Sequence, residues 1–193
     1  MKHLKVIACE TAFRELCFCA SQSNTVIDFT FMPRKLHVVG AKMMHEALQD
    51  EIDKVNIDKF DAILMGYGLC GGGVVGLKSK LSIVIPKAFY FTSGWLERKM
   101  LPDREESLDD LISYKSMIND IVFLNTGVGN VETYRDQIKD KSIKLESPAI
   151  EIEGDNSLLF RFINGDWNEE EFTVIPANYE IIATNDDKII GYK

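Results

Sequence analysis

Short apolar runs alternate with amphipathic stretches along the first half of the chain. Leu4 to Cys9 is an apolar run of strand type, and Glu10 to Ser21 follows with Phe13, Leu16, Cys17 and Ala20 at helical spacing. Thr25 to Met32 is rich in β-branched and aromatic residues and predicts a second strand, stopped by Pro33. After Gly40, residues Ala41, Met44, Leu48, Ile52 and Val55 share one stripe, which predicts a helix to Val55. Asp61 to Met65 and Leu81 to Ile85 predict the third and fourth strands, with a short helix around Val74 to Lys78 between them. In the second half, Phe89 to Thr92 is strand-like and Leu96 to Asn119 helical with a break near Pro102. Ile121 to Asn125 predicts a buried strand, followed by a Gly127-Val128-Gly129 turn and a helix to Lys139. Ser142 to Leu145 predicts a short strand, Asn156 to Ile163 a helix, and Phe172 to Ile175 a last parallel strand. Tyr179 to Ala183 and Lys188 to Tyr192, on either side of Asn185-Asp186-Asp187, carry a hairpin signal.

Strands joined by helical crossovers are parallel. Parallel strands covered on both faces read as continuous apolar runs, as Ile63-Leu64-Met65 and Ile83-Val84-Ile85 do. The predicted fold is therefore α/β and Rossmann-like: a mostly parallel sheet with helices on both faces and a small C-terminal β-hairpin. No repeat or linker interrupts it, and the reading is one domain over residues 1–193. Ligands of such sheets bind beyond the carboxyl ends of the strands. Cys9, the segment Pro33 to His37, the segment Gly66 to Gly73 and Pro86 all fall at that edge.

Charge and cysteine content narrow the function classes. A net charge of −8, with no Lys/Arg cluster of five or more, argues against nucleic acid and anionic membrane as partners. No apolar run reaches the ~18 residues of a membrane span. The apolar segment of the N-terminus is too short for a signal peptide, and Glu10 and Arg14 follow it at once. Four unevenly spaced cysteines do not form a secreted disulfide framework, so a cytoplasmic location is expected.

The most unusual stretch is Gly66-Tyr67-Gly68-Leu69-Cys70-Gly71-Gly72-Gly73, the start of a run with six glycines between residues 66 and 76. Gly66, Gly68 and Gly71 match G-x-G-x-x-G after a strand, the spacing that brings backbone to a pyrophosphate. A dinucleotide fold also wants an acidic residue at the end of the next strand, and here that strand ends in Pro86-Lys87. The missing partner argues against a dinucleotide and leaves a smaller anion on the loop amides as an alternative.

Cys70 lies inside this loop, where free amides favour thiolate. Cys9, at the end of the first strand, reaches the same edge. Two thiolates and a histidine suit a metal ion or an iron–sulfur cluster, and His37 is the one histidine at that edge. Arg34 and Lys35 would make the crevice locally cationic, which suits an anionic ligand or a negatively charged metal–thiolate group. The metal set expected is thus Cys9, Cys70 and His37. The ligand cradle expected is Gly66, Tyr67, Gly68, Gly71, Gly72, Gly73 and Arg34. Cys17 and Cys19 point ~200° apart on a helix, and Cys17 belongs to the apolar stripe, so the pair is read as structural. Two alternatives stand beside the metal reading: a Cys70 nucleophile with His37 as base acting on a small anionic substrate, and a non-catalytic anion-binding protein.

Cys9-Glu10 with Arg14-Glu15-Leu16, the run Phe31 to His37, the run Asp61 to Gly73 and Val84-Ile85-Pro86 resemble the domain-of-unknown-function 1638 family. So do Ser157 to Phe160, Trp167 and Glu171 to Pro176. The resemblance implies a prokaryotic α/β protein, and by position it carries over Cys9, His37 and Cys70. Some members occur beside corrinoid-dependent methyl-transfer systems, which implies an accessory role there. One departure follows Pro86. The family continues into Arg-Ala-His-Asp-Cys before an aromatic segment ending in Gly-Trp, whereas here Lys87-Ala88 leads directly to Phe89 and on to Trp95. About two dozen residues are missing, more than a connecting loop usually holds. Either this protein lacks the third cysteine, or a segment between residues 88 and 89 is absent from the sequence.

Overall fold

The computed structural model describes residues 1–68, 72–87, 121–129, 131–145, 149–183 and 190–193. The chain divides into two compact units, Met1–Gly94 with Ser157–Lys193, and Trp95–Asn156.

The first unit is built on a five-stranded sheet. Its strands are β1 (His3–Cys9), β2 (Val26–Met32), β3 (Ala62–Gly66), β4 (Ile83–Pro86) and β7 (Phe172–Ile175), in the order β2-β1-β3-β4-β7. The first four run parallel, as expected, and β1 pairs with β2 along its whole length and with β3 from Leu4 to Ala8. The chain passes from β1 outward to β2, then returns to place β3 on the other side of β1. That reversal makes the β1/β3 junction the topological switch point of the sheet.

Alternating side chains build two cores. Ile7, Ile63, Met65, Ile83 and Ile85 pack with Met44, Leu48 and Ile52 of helix α2 (Ala41–Asp53) on one face. Leu4, Val6, Ala8, Ala62, Leu64 and Val84 pack on the other with Leu16 and Cys19 of helix α1 (Phe13–Ser21). Leu159, Phe162 and Ile163 of helix α4 (Ser157–Asn164) complete that second face. Each fully buried aliphatic side chain contributes roughly 1.5–3 kcal/mol, so the central strands hold the fold with or without strong local propensity.

Strand β7 corrects one expectation, because it pairs antiparallel with β4. A four-residue apolar run reads the same in either direction, and the connection decides the pairing. Here the chain leaves α4 through Gly165 and Trp167, and a bidentate pair fixes the return. Arg161 Nε and Nη2 each donate to Glu171 at 2.6 Å. Val74 to Lys78 is likewise a turn rather than a helix, with Lys78 in an isolated bridge to Glu180. The C-terminal hairpin is present as β8 (Ile181–Ala183) and β9 (Ile190–Tyr192), antiparallel, while its turn lies outside the described residues.

The second unit contains β5 (Ile121–Asn125), helix α3 (Val131–Leu145) and β6 (Ala149–Glu153), with β5 and β6 parallel. Ser142 to Leu145, expected as a strand, is the end of α3. Arg135 Nε and Nη2 donate to Glu151 at 2.8 Å each and tie helix to strand. The expected elements at 89–92 and 96–119 lie outside the described residues.

At the amino end of the sheet, Lys59 donates to Asp28 and the His3 Nε2 lies 3.3 Å from the same carboxylate. The Lys59 hydrogen bond, then that of His3, holds the Asp28 carboxyl below its usual range. A lowered folded pKa contributes stability that is present above the ordinary value of about 3.9 and is lost as the pH falls through the lowered one. Asp28→Asn is therefore expected to be destabilising near neutrality. The difference from wild type, measured by urea unfolding, is expected to shrink as the pH drops below about 4.

Candidate functional site

Cys9 is the last residue of β1 and is 4 % exposed. Its register partner on β2 is Met32, and Pro33 then ends that strand. The chain turns at once into a 3-10 turn, Arg34–Val38, which carries His37 back over the strand ends. The result is a direct contact: His37 Nε2 lies 3.3 Å from Cys9 Sγ. Two residues 28 apart in sequence meet because their strands are paired in register and each sits at or just past its strand's carboxyl end.

A second polar group reaches the same sulfur. Thr11, in the 3-10 turn Glu10–Ala12 that follows β1, donates its hydroxyl to Cys9 Sγ at 3.2 Å. Sequence reasoning passed over this residue. The available signal was a hydroxyl two residues after a strand-end cysteine, close enough to fold back in a tight turn. Tyr67, just past β3, is buried, and its ring lies 5.6 Å from the His37 ring at a tilt of 32°. Cysteine, threonine, histidine and tyrosine thus gather at the β1/β3 switch point, on the α2 side of the sheet.

The expected cradle divides into parts. Gly66 and Gly68 are buried at and beyond the end of β3. Gly73 is buried against α2, where a Cβ would stand 2.4 Å from Met44 Cγ and 2.7 Å from Met44 Cβ. Gly76 has φ +87°, its amide donates to the Ile181 carbonyl at 2.8 Å, and a Cβ would meet the His45 ring at 3.3 Å. These two glycines therefore serve helix and hairpin packing. Gly72 is exposed. Arg34 is in the turn that carries His37. Cys70 and Gly71 lie outside the described residues, as does the 88–89 junction.

The remaining cysteines separate clearly. Cys19 is fully buried on α1, and desolvation, with the negative charge of Glu15 beside it, pushes its thiol up to about 12. Cys17 is partly exposed, and burial raises its thiol as well. The structural reading of the pair holds, with Cys19 rather than Cys17 in the core. Among the described residues, no group of three or more His, Cys, Asp or Glu side chains forms a metal cage, and no helix is long and apolar enough to cross a membrane.

Chemically, a buried sulfur approached by a hydroxyl and an imidazole is placed to serve as a metal ligand or as a nucleophile.

Gly73→Ala is expected to destabilise by about 1–3 kcal/mol, because the clash reaches the fixed base of Met44 rather than its flexible tip. A denaturation cycle with Met44→Ala is expected to show strong non-additivity. Cys19 is expected to stay unmodified by iodoacetamide at neutral pH until the chain unfolds, read by peptide mass mapping.

No curated protein and no solved structure matches the chain. A family model described as protein of unknown function (DUF1638) matches residues 31–88, which span the end of β2, the His37 turn, α2, β3, the glycine loop and β4. Cys9 lies before the matched segment and meets it through His37. Over that segment, which carries most of the carboxyl edge, the chain is similar to the DUF1638 family.

Proposed function

We propose that the protein binds a metal ion or metal-containing cofactor at the carboxyl ends of β1 and β3, with Cys9 and His37 as ligands. The observation that carries this reading is the 3.3 Å separation of Cys9 Sγ and His37 Nε2 at the switch point of the sheet. A cysteine and a histidine together select zinc, iron or copper over hard cations such as magnesium. Thr11 supports the reading, since metal-bound thiolates are oriented and tuned by hydrogen-bond donors around them. Cys70, four residues beyond the end of β3, is proposed from the sequence as a further ligand. Gly66, Tyr67 and Gly68 would form the wall beside it. The bound group would supply Lewis acidity or electron transfer. The chain's own residues would hold it and shield it from water. An accessory role in corrinoid-dependent methyl transfer is the setting that the family resemblance suggests.

A second reading is favoured by the same two neighbours of the sulfur. Thr11 and His37 converge on one sulfur, so Cys9 is the thiol that they would activate as a nucleophile, with His37 as base.

Metal analysis of the chain purified without oxygen separates the two. Stoichiometric metal in the wild type, strongly reduced in Cys9→Ser and in Cys70→Ser, is expected. Absence of stoichiometric metal from every preparation, together with rapid alkylation of Cys9 that His37→Ala slows at least about tenfold, would establish the nucleophile instead.

A further inference from the structure

We infer that Cys9 and His37 ligate one and the same metal ion at a tetrahedral centre, and not separate irons of a cluster. The inference rests on the metal-site reading and sharpens it.

The argument is one of distance. Zinc–sulfur and zinc–nitrogen bonds of about 2.3 and 2.05 Å at a tetrahedral angle place the two ligand atoms about 3.5 Å apart. Cys9 Sγ and His37 Nε2 stand 3.3 Å apart, so a small adjustment of either side chain admits an ion between them. In a four-iron cluster each iron takes one protein ligand. Two ligands on such a cluster are separated by two metal–ligand bonds and an iron–iron edge, well beyond this spacing. The backbone on both sides of the pair is held: Cys9 pairs with Met32, and the turn is closed by the Leu36 amide donating to the Pro33 carbonyl at 3.0 Å.

The neighbours fit a single ion. His37 presents Nε2 to the sulfur, so Nε2 is the coordinating nitrogen and Nδ1 carries the ring proton. Binding forms one metal–sulfur and one metal–nitrogen bond, breaks the Cys9 S–H bond and releases that proton to solvent; no electron is transferred. Thr11 keeps its hydroxyl proton and donates it to the bound sulfur, drawing charge from the metal–thiolate bond. Two positions of the tetrahedron are left for other ligands.

The test uses the full chain and cobalt(II) as probe, after treatment with chelator and reductant. One cobalt per chain is expected, with visible bands of tetrahedral intensity and a near-ultraviolet sulfur-to-cobalt band. Cys9→Ser is expected to lose the sulfur band, and His37→Gln to shift the visible bands and weaken binding. Thr11→Val is expected to keep one cobalt per chain, shift the sulfur band to lower energy and weaken binding by no more than about 10–100-fold, with Thr11→Ser restoring both. Circular dichroism of each metal-free variant, matching wild type, separates ligand loss from unfolding. Four irons per chain with equimolar acid-labile sulfide, in protein isolated without oxygen, would overturn the shared-ion assignment and leave the metallocofactor reading standing. Cobalt binding unchanged in both Cys9→Ser and His37→Gln would also overturn it. No metal as isolated and no cobalt uptake would overturn both.

Discussion

Strand β1 hydrogen-bonds in parallel to β2 on one side and to β3 on the other, and the carboxyl edge depends on that double pairing. A slip of one residue would turn Cys9 to the opposite face and exchange the two cores. The register is guarded by both cores at once. Leu4, Val6 and Ala8 must meet α1 and α4 while Ile7 and Cys9 meet the α2 side. A slip would therefore strand apolar groups of different size in two packed environments, at a cost of several kcal/mol on the scale of core substitutions. Cys9 is positioned by the same forces that make the fold.

The site is assembled from chain segments that each end abruptly. Pro33 stops β2 by removing a donor and fixing its own φ, and the turn that follows has no room to wander before His37. Beyond β3, the glycine loop is pressed onto α2 at Gly73 and stapled to β8 at Gly76 and Leu77. Helix α2 thus supports the crevice from beneath while its apolar stripe anchors the sheet.

Much of this could be read from the residues. Continuous apolar runs at Ile63 to Met65 and Ile83 to Ile85 announced buried parallel strands, and strand-end positions brought Cys9 and His37 to one edge. Other features left no trace at the level of pattern. The direction of β7 depends on where Gly165 and the Arg161–Glu171 pair deliver the chain, which a four-residue run does not encode. The alternation Ala149-Ile150-Glu151-Ile152-Glu153 carried a strand signal that the more apolar Ile143-Lys144-Leu145 masked. Helical spacing assigns Cys17 to the apolar stripe, yet Cys19 is the buried one, because the sheet beneath α1 decides which side of the helix is covered. Gly73, expected in the ligand cradle, and Gly76 beyond it pack against Met44, His45 and Ile181, neighbours that only the fold reveals.

Strand β2 stands at the end of the five-stranded sheet, and His37 hangs directly from it. Terminal strands open locally at lower free energy than central ones. The contact between ring and sulfur is thereby linked to the peeling of one strand: occupancy at Cys9 and His37 must raise the opening free energy of Val26 to Met32 by mass action. Amide exchange along the whole of β2 becomes a gauge of what sits at the switch point.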